Sequence, residues 1–175
     1  MELHAIFIQS IRFELLKYKQ YGEKTFAQLD EQELQWKRNK TDNSIAIIVK
    51  HMVGNMLSRF TNFLSEDGEK PWRNRDSEFQ EPYTDMKDMM AAWQKGWACV
   101  LDALEMISKE NFTAVIKIRN EEHTLPGALH RQLAHYACHV GQIILLGKMI
   151  KGDDWQSLSI PKGQSEAFNR LKFKN

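Results

Sequence analysis

No apolar stretch in this sequence approaches the ~20 residues that a helical bilayer span needs, so a membrane-spanning helix is excluded at the outset. Cysteine is scarce: only Cys99 and Cys138 are present, not in a C-x-x-C pattern. That rules out a disulfide framework and points to reduced thiols in a cytoplasm. Charge of one sign is also lacking. The formal net charge is +1, and no run of lysine or arginine forms a stripe, which argues against nucleic acid as the main partner. The first twenty residues, "MELHAIFIQSIRFELLKYKQ", lack a basic stretch followed by an apolar block, so no secretory signal peptide is expected. No internal repeat and no low-complexity tract interrupts the chain. Its 175 residues suit one domain with enough chain to bury a core unaided.

What is present is helical period. From Leu3 to about Tyr21, positions 4, 8, 11, 15 and 18 recur at three- and four-residue steps, and Gly22 with "KTFAQLDEQEL" closes the run. A second segment opens at "TDNS", where Asn43 or Ser44 is a natural N-cap, and runs to about Leu64. A third starts with Thr84 or Asp85 as cap and carries an apolar stripe from Met86 through Trp93, Trp97 and Leu104 to Ile107. A fourth begins near "TLPGAL", with Pro126 tolerated in its first turn, and ends where Gly152 follows Lys151. Residues 66–83, "EDGEKPWRNRDSEFQEPY", read as a loop or lid. Residues 112–125 alternate around "RNEE" and read as a small hairpin. The expected class is all-α, a four-helix bundle with a short β-hairpin before the last long helix.

"HRQLAHYACHVGQI", residues 130–143, places His135 and His139 on one helix face, one turn apart. That spacing lets two imidazoles converge on one metal ion. Alone the signal is weak. It gains from His51, halfway along the second helix, on a stripe with Ile47, Ile48, Gly54, Asn55 and Ser58. The fourth helix has a matching stripe of Gln132, His135, His139, Gln142 and Leu146. So many inward polar groups would each cost roughly 1–3 kcal/mol without a partner, and one ion would satisfy the most expensive together. Three imidazoles leave positions open for water or substrate, the catalytic pattern. His130 points about 140° away from His135 around the helix, and His4 and His123 lie outside the site. Gln142 and Asn55 are expected to hold the ligand rings from behind.

The mid-helix histidine followed by "HYACHVGQI" resembles the DinB-like (YfiT-like) superfamily of bacterial metal-binding four-helix bundles. "KHMVGNMLSRFTNFLSEDGEKPWRNRD", "RQLAHYACHVGQI" and "SLSIPKGQSEAFN" resemble one uncharacterised branch of it. The resemblance covers nearly the whole chain. It implies a single domain over 1–175, with 151–175 as a tail packing on the bundle. It also implies that the three metal ligands fall on His51, His135 and His139. The family's arginine between the last of these ligands, His139, and the Gly-Gln step is Val140 here.

The position after His135 is Tyr136, so the glutamate base of a His-Glu-x-x-His protease is missing. The expected cofactor is one divalent transition metal ion, zinc or nickel first and iron or copper as alternatives. By resemblance, the expected activity is that of a metal-dependent hydrolase or a transferase using a low-molecular-weight thiol. A small-molecule substrate is the expected partner, with Trp72 and Arg73 as candidate contacts. A cytoplasmic homodimer without nucleic acid or membrane is the expected setting. The rival reading is a non-catalytic metal-binding or dimerisation bundle.

Overall fold

The computed structural model describes residues 2–80 and 82–173. Met1 and residues 174–175, which close the expected 1–175 unit, and Glu81, inside the expected lid, lie outside the described residues. The described chain is mostly helical, with one small antiparallel sheet. Its long helices are α1 (Leu3–Phe26), α3 (Ile45–Phe60), α5 (Met86–Glu105) and α6 (Leu125–Lys151). Short helices α2 (Glu31–Leu34), α4 (Ser77–Gln80) and α7 (Ser165–Lys172) fall between and after them. No helix among the described residues is long and apolar enough to cross a membrane.

The caps expected at Ser44 and Asp85 hold, and α6 has a further one at Thr124. Ser44 accepts from Ile47 N, Asp85 from Lys87 N and Asp88 N, and Thr124 from Gly127 N. At the far end of α6, Gly152 turns to φ +54°, a conformation that favours glycine. Gly22 does not end α1, as its type suggests; the helix continues to Phe26. Its role is close approach instead, because a Cβ there would come within 2.6 Å of the Trp93 ring. The second helix stops at Phe60, short of Leu64, and Asn62 follows at φ +50°.

α3 is the central rod. Only Lys50, Gly54 and Leu57 of its residues escape full burial, so it is packed on all sides rather than along one stripe. It lies chiefly against α5, while α1 packs on α6 and α6 touches α3. Aromatic rings join these layers. Trp93 meets Phe26 edge-on at 5.2 Å and Trp97 at 5.5 Å, and Trp97 meets Tyr136 of α6 at 5.6 Å.

The hairpin pairs β1 (Val115–Ile118) with β2 (Glu121–Thr124), Ile118 opposite Glu121. Arg119 and Asn120 form its turn, both at positive φ, as a two-residue type I′ connection requires. Asp67 clamps this turn by accepting from the backbone N–H groups of Arg119 and Asn120. Segment 66–83 is therefore tied down at its start. It also contains one helical turn, α4, where the charge-rich composition suggests only loop. Downstream of α6, Gln28 and Gln156 exchange hydrogen bonds, whereas every residue of α7 is exposed.

Candidate metal centre

His51 comes from the buried middle of α3, His135 and His139 from consecutive turns of α6. Their ring centroids stand 5.5 Å (51–135), 5.0 Å (51–139) and 4.5 Å (135–139) apart. One ligand nitrogen from each ring lies within 4.8 Å of the other two. Shared coordination at about 2.0–2.1 Å asks the rings for only a small inward movement.

Each ring is already prepared for that role. His51 Nδ1 lies 2.9 Å from Glu78 Oε2. Burial pushes the Glu78 carboxyl up, but hydrogen bonds from His51 and Arg73 outweigh it and hold it below the ordinary glutamate value. An ionised carboxylate can only accept, so Nδ1 is the donor, and in the neutral tautomer that this selects Nε2 keeps its lone pair. His139 Nδ1 donates to Gln142 Oε1 at 2.9 Å, which leaves Nε2 free in the same way. His135 Nε2 is buried with no hydrogen-bond partner among the described residues. Burial, with His139 and His51 adding to it, pulls the His135 pKa down to about 3. Burial likewise lowers His139. Both rings are neutral at pH 7, the form that binds metal.

An orphaned buried nitrogen is costly, and a cation shared with two other oriented imidazoles removes that cost. The donor set suits a borderline metal such as zinc or nickel. The group contains no fourth His, Cys, Asp or Glu among the described residues, so three protein donors would leave coordination positions open.

Glu78 carries no sequence signal of its own, being one acid in a charge-rich connection. Its arrival follows from α4, which turns it inward until it is only 5% exposed. Arg73 grips it with Nε–Oε1 at 2.8 Å and Nη2–Oε2 at 3.0 Å. Gly54 makes the space; a Cβ there would collide with the Glu78 carboxylate. Doubly bonded and acidic, Glu78 positions a ring and is not poised as a general base near neutral pH.

The other expected residues divide. Gln142 backs His139, whereas the hydrogen bond of Asn55 is to Tyr136, its Oδ1 accepting from the Tyr136 hydroxyl at 3.0 Å. Asn55 and Arg73 line a cavity of about 220 Å³ that opens beside His51 and His135. Trp72 is 57% exposed and is not among the residues lining that cavity. His130 packs on Phe7, His4 on Phe112, and His123 faces Arg131, and none of them belongs to the three-histidine group. Arg59, Arg119 and Arg131 also line the cavity, brought there by α3, the hairpin turn and α6 from distant parts of the sequence.

Residues 2–164 match a protein family described as "Protein of unknown function (DUF1572)". No curated protein and no solved structure matches the chain.

Proposed function

The chain belongs to the DUF1572 family, for which no activity is described, and from that premise we propose that it is a metal-dependent enzyme. Its fold is read as the DinB-like four-helix bundle, with His51, His135 and His139 as ligands. The observation that carries this reading is the orphaned, buried Nε2 of His135 beside two imidazoles whose Nδ1 atoms are already engaged. A divalent ion held by three imidazoles lowers the pKa of a coordinated water toward 7 or holds a thiol as its thiolate.

The reaction class is hydrolysis or transfer to a low-molecular-weight thiol. Everything else falls to the chain's own groups. Glu78 and Gln142 fix ring orientation and tautomer, Asn55 offers an amide to the cavity, and Arg73 secures Glu78. No carboxylate free to act as base lines the cavity among the described residues, which favours a nucleophile that needs no protein base. A purely structural metal site is closed by four protein ligands; three donors beside an open cavity favour catalysis.

Elemental analysis of untagged protein tests the reading. Wild type is expected to carry about one equivalent of zinc or nickel, and His135→Ala to lose it with the helical circular-dichroism signal retained. Cobalt-loaded protein is expected to gain a sulfur-to-metal absorption band on adding a small thiol if transfer is the reaction, and none if hydrolysis is. Native protein free of metal and unable to take up zinc, nickel or cobalt would sink the reading.

A further inference from the structure

We propose that the cavity beside the histidine group binds a small anionic molecule through its carboxylate or phosphoryl oxygens. Five arginines converge on it, at positions 59, 73, 75, 119 and 131, while no Asp or Glu among the described residues lines it. Arg59 and Arg73 form the inner wall, with side chains only 6% and 2% exposed. Arg75, Arg119 and Arg131 are exposed and stand at the mouth.

Balance of charge gives the argument its weight. Outside the cavity, Glu69 accepts from Arg59 Nη2 at 3.0 Å and from Arg119 Nε at 2.9 Å, and Glu78 takes Arg73. Two carboxylates thus serve three guanidinium groups. Arg75 has only the Phe79 ring, 5.1 Å away, and Arg131 only His123 Nε2, at 3.2 Å, among the described partners. The uncompensated charge gathers around the same cavity as the buried Arg59 and Arg73, and like charges brought together there repel one another. An anion relieves that repulsion, and guanidinium forks match the oxygen pairs of carboxylate and phosphate.

The neutral groups agree. Asn55 Oδ1 is occupied by Tyr136, so the amide nitrogen is the group left to donate into the cavity. Gln132 is 4% exposed, lines the same space, and its Oε1 has no partner among the described residues. That orphaned atom is an acceptor, which an anionic oxygen does not satisfy, so the occupant is expected to bring an N–H or O–H donor beside its anionic group. The volume of about 220 Å³ is below the ~300–1,000 Å³ of drug-sized pockets, which limits the occupant to a few heavy atoms beyond the anionic group.

Binding of the anion does not depend on a metal. Its assignment as the substrate does rest on the metal-enzyme reading, since only that places a reactive centre at the cavity floor. Succinate and inorganic phosphate, titrated calorimetrically into chelator-treated protein, test the binding, with uncharged succinamide as control. Succinate or phosphate is expected to bind, and succinamide at least tenfold more weakly. Whichever anion binds more tightly identifies the favoured class. In the Arg75→Gln/Arg131→Gln double variant, which breaks no carboxylate pair, anion affinity is expected to fall at least tenfold with the melting temperature unchanged. Equal binding of succinamide, or anion binding indifferent to the double variant, overturns the proposal. If the protein takes up no metal yet still binds anions through Arg75 and Arg131, the metal reading fails and this one stands. If zinc is held by the histidines while anions bind only to zinc-loaded protein, and equally in the double variant, this proposal fails alone.

Discussion

Glu78 Oε2 accepts a hydrogen bond from His51 Nδ1 at 2.9 Å across 27 positions of sequence. The same carboxylate takes two bonds from Arg73. One acid thus ties the central helix to the connection that follows it. The tie does three things together: it sets the tautomer of a candidate ligand, it neutralises a buried guanidinium, and it fixes one wall of the arginine-lined cavity.

Replacing Glu78 should therefore weaken metal binding without touching a ligand. Glu78→Gln is expected to lower zinc affinity about tenfold to a hundredfold, the usual effect of losing a partner that orients a metal-binding histidine. Competition with a chromophoric chelator measures it. Glu78→Ala additionally strands Arg73, whose side chain is 2% exposed, and is expected to cost about 3–5 kcal/mol of stability in urea unfolding. An unchanged zinc affinity in Glu78→Gln would show that the carboxylate does not orient the ring.

Gly54 offers the same perturbation from the other side. It faces Glu78 on α3, and an added methyl would overlap the carboxylate. Alanine suits a helix better than glycine by roughly 1 kcal/mol, so Gly54→Ala should keep α3 helical while expelling Glu78 from its seat. Zinc affinity is expected to fall about as far as in Glu78→Gln, and the double variant Gly54→Ala/Glu78→Gln to fall no further. Additive losses would mean that the glycine matters for another reason.

How much of this was legible beforehand depends on the distance over which each feature is encoded. The capping side chains at 44 and 85 act within three residues and could be read locally. His135 and His139 share a face because helical period alone decides it, and His51 could be matched to them because it stands on a stripe of α3 with Ile47, Ile48, Asn55 and Ser58. Glu78 and the arginines at 59, 119 and 131 could not be found that way. They meet only because Asp67 staples the connection to the hairpin turn and α4 rotates one acid inward. Gly22 misled for the opposite reason: a local stop signal was overruled by a tertiary contact with Trp93.

The metal-free protein should be acid-sensitive in a window set by its imidazoles. Unfolded, His135 takes a proton near its ordinary pKa of 6.5; folded, burial delays this to about 3. Between those values unfolding takes up a proton, so stability falls as pH falls. His139, also lowered by burial, contributes in the same direction. The urea midpoint of chelator-treated wild type is therefore expected to drop between pH 7.5 and pH 5, above the range where Glu78 begins to protonate. His135→Gln should show a visibly smaller drop, and an equal drop in both proteins would contradict the burial of that ring.

Tyr136 connects the aromatic ladder to the cavity and offers a way to separate the two proposed binding functions. Its hydroxyl donates to Asn55 Oδ1 from a fully buried position, and burial raises its own pKa well above the usual phenol value. Tyr136→Phe keeps the ring packed on Trp97 but leaves the Asn55 oxygen without its donor, a loss of about 1–3 kcal/mol for a buried acceptor. Freed from that bond, the Asn55 amide can turn its oxygen toward the arginines and withdraw the nitrogen that an anion would use. None of the three histidines makes its hydrogen bond through Tyr136 or Asn55, so zinc affinity should stay within twofold of wild type. Succinate or phosphate affinity is expected to fall severalfold in the same protein. A variant that lost zinc and anion together would indicate that Tyr136 supports α6 as a whole instead of setting the direction of one amide.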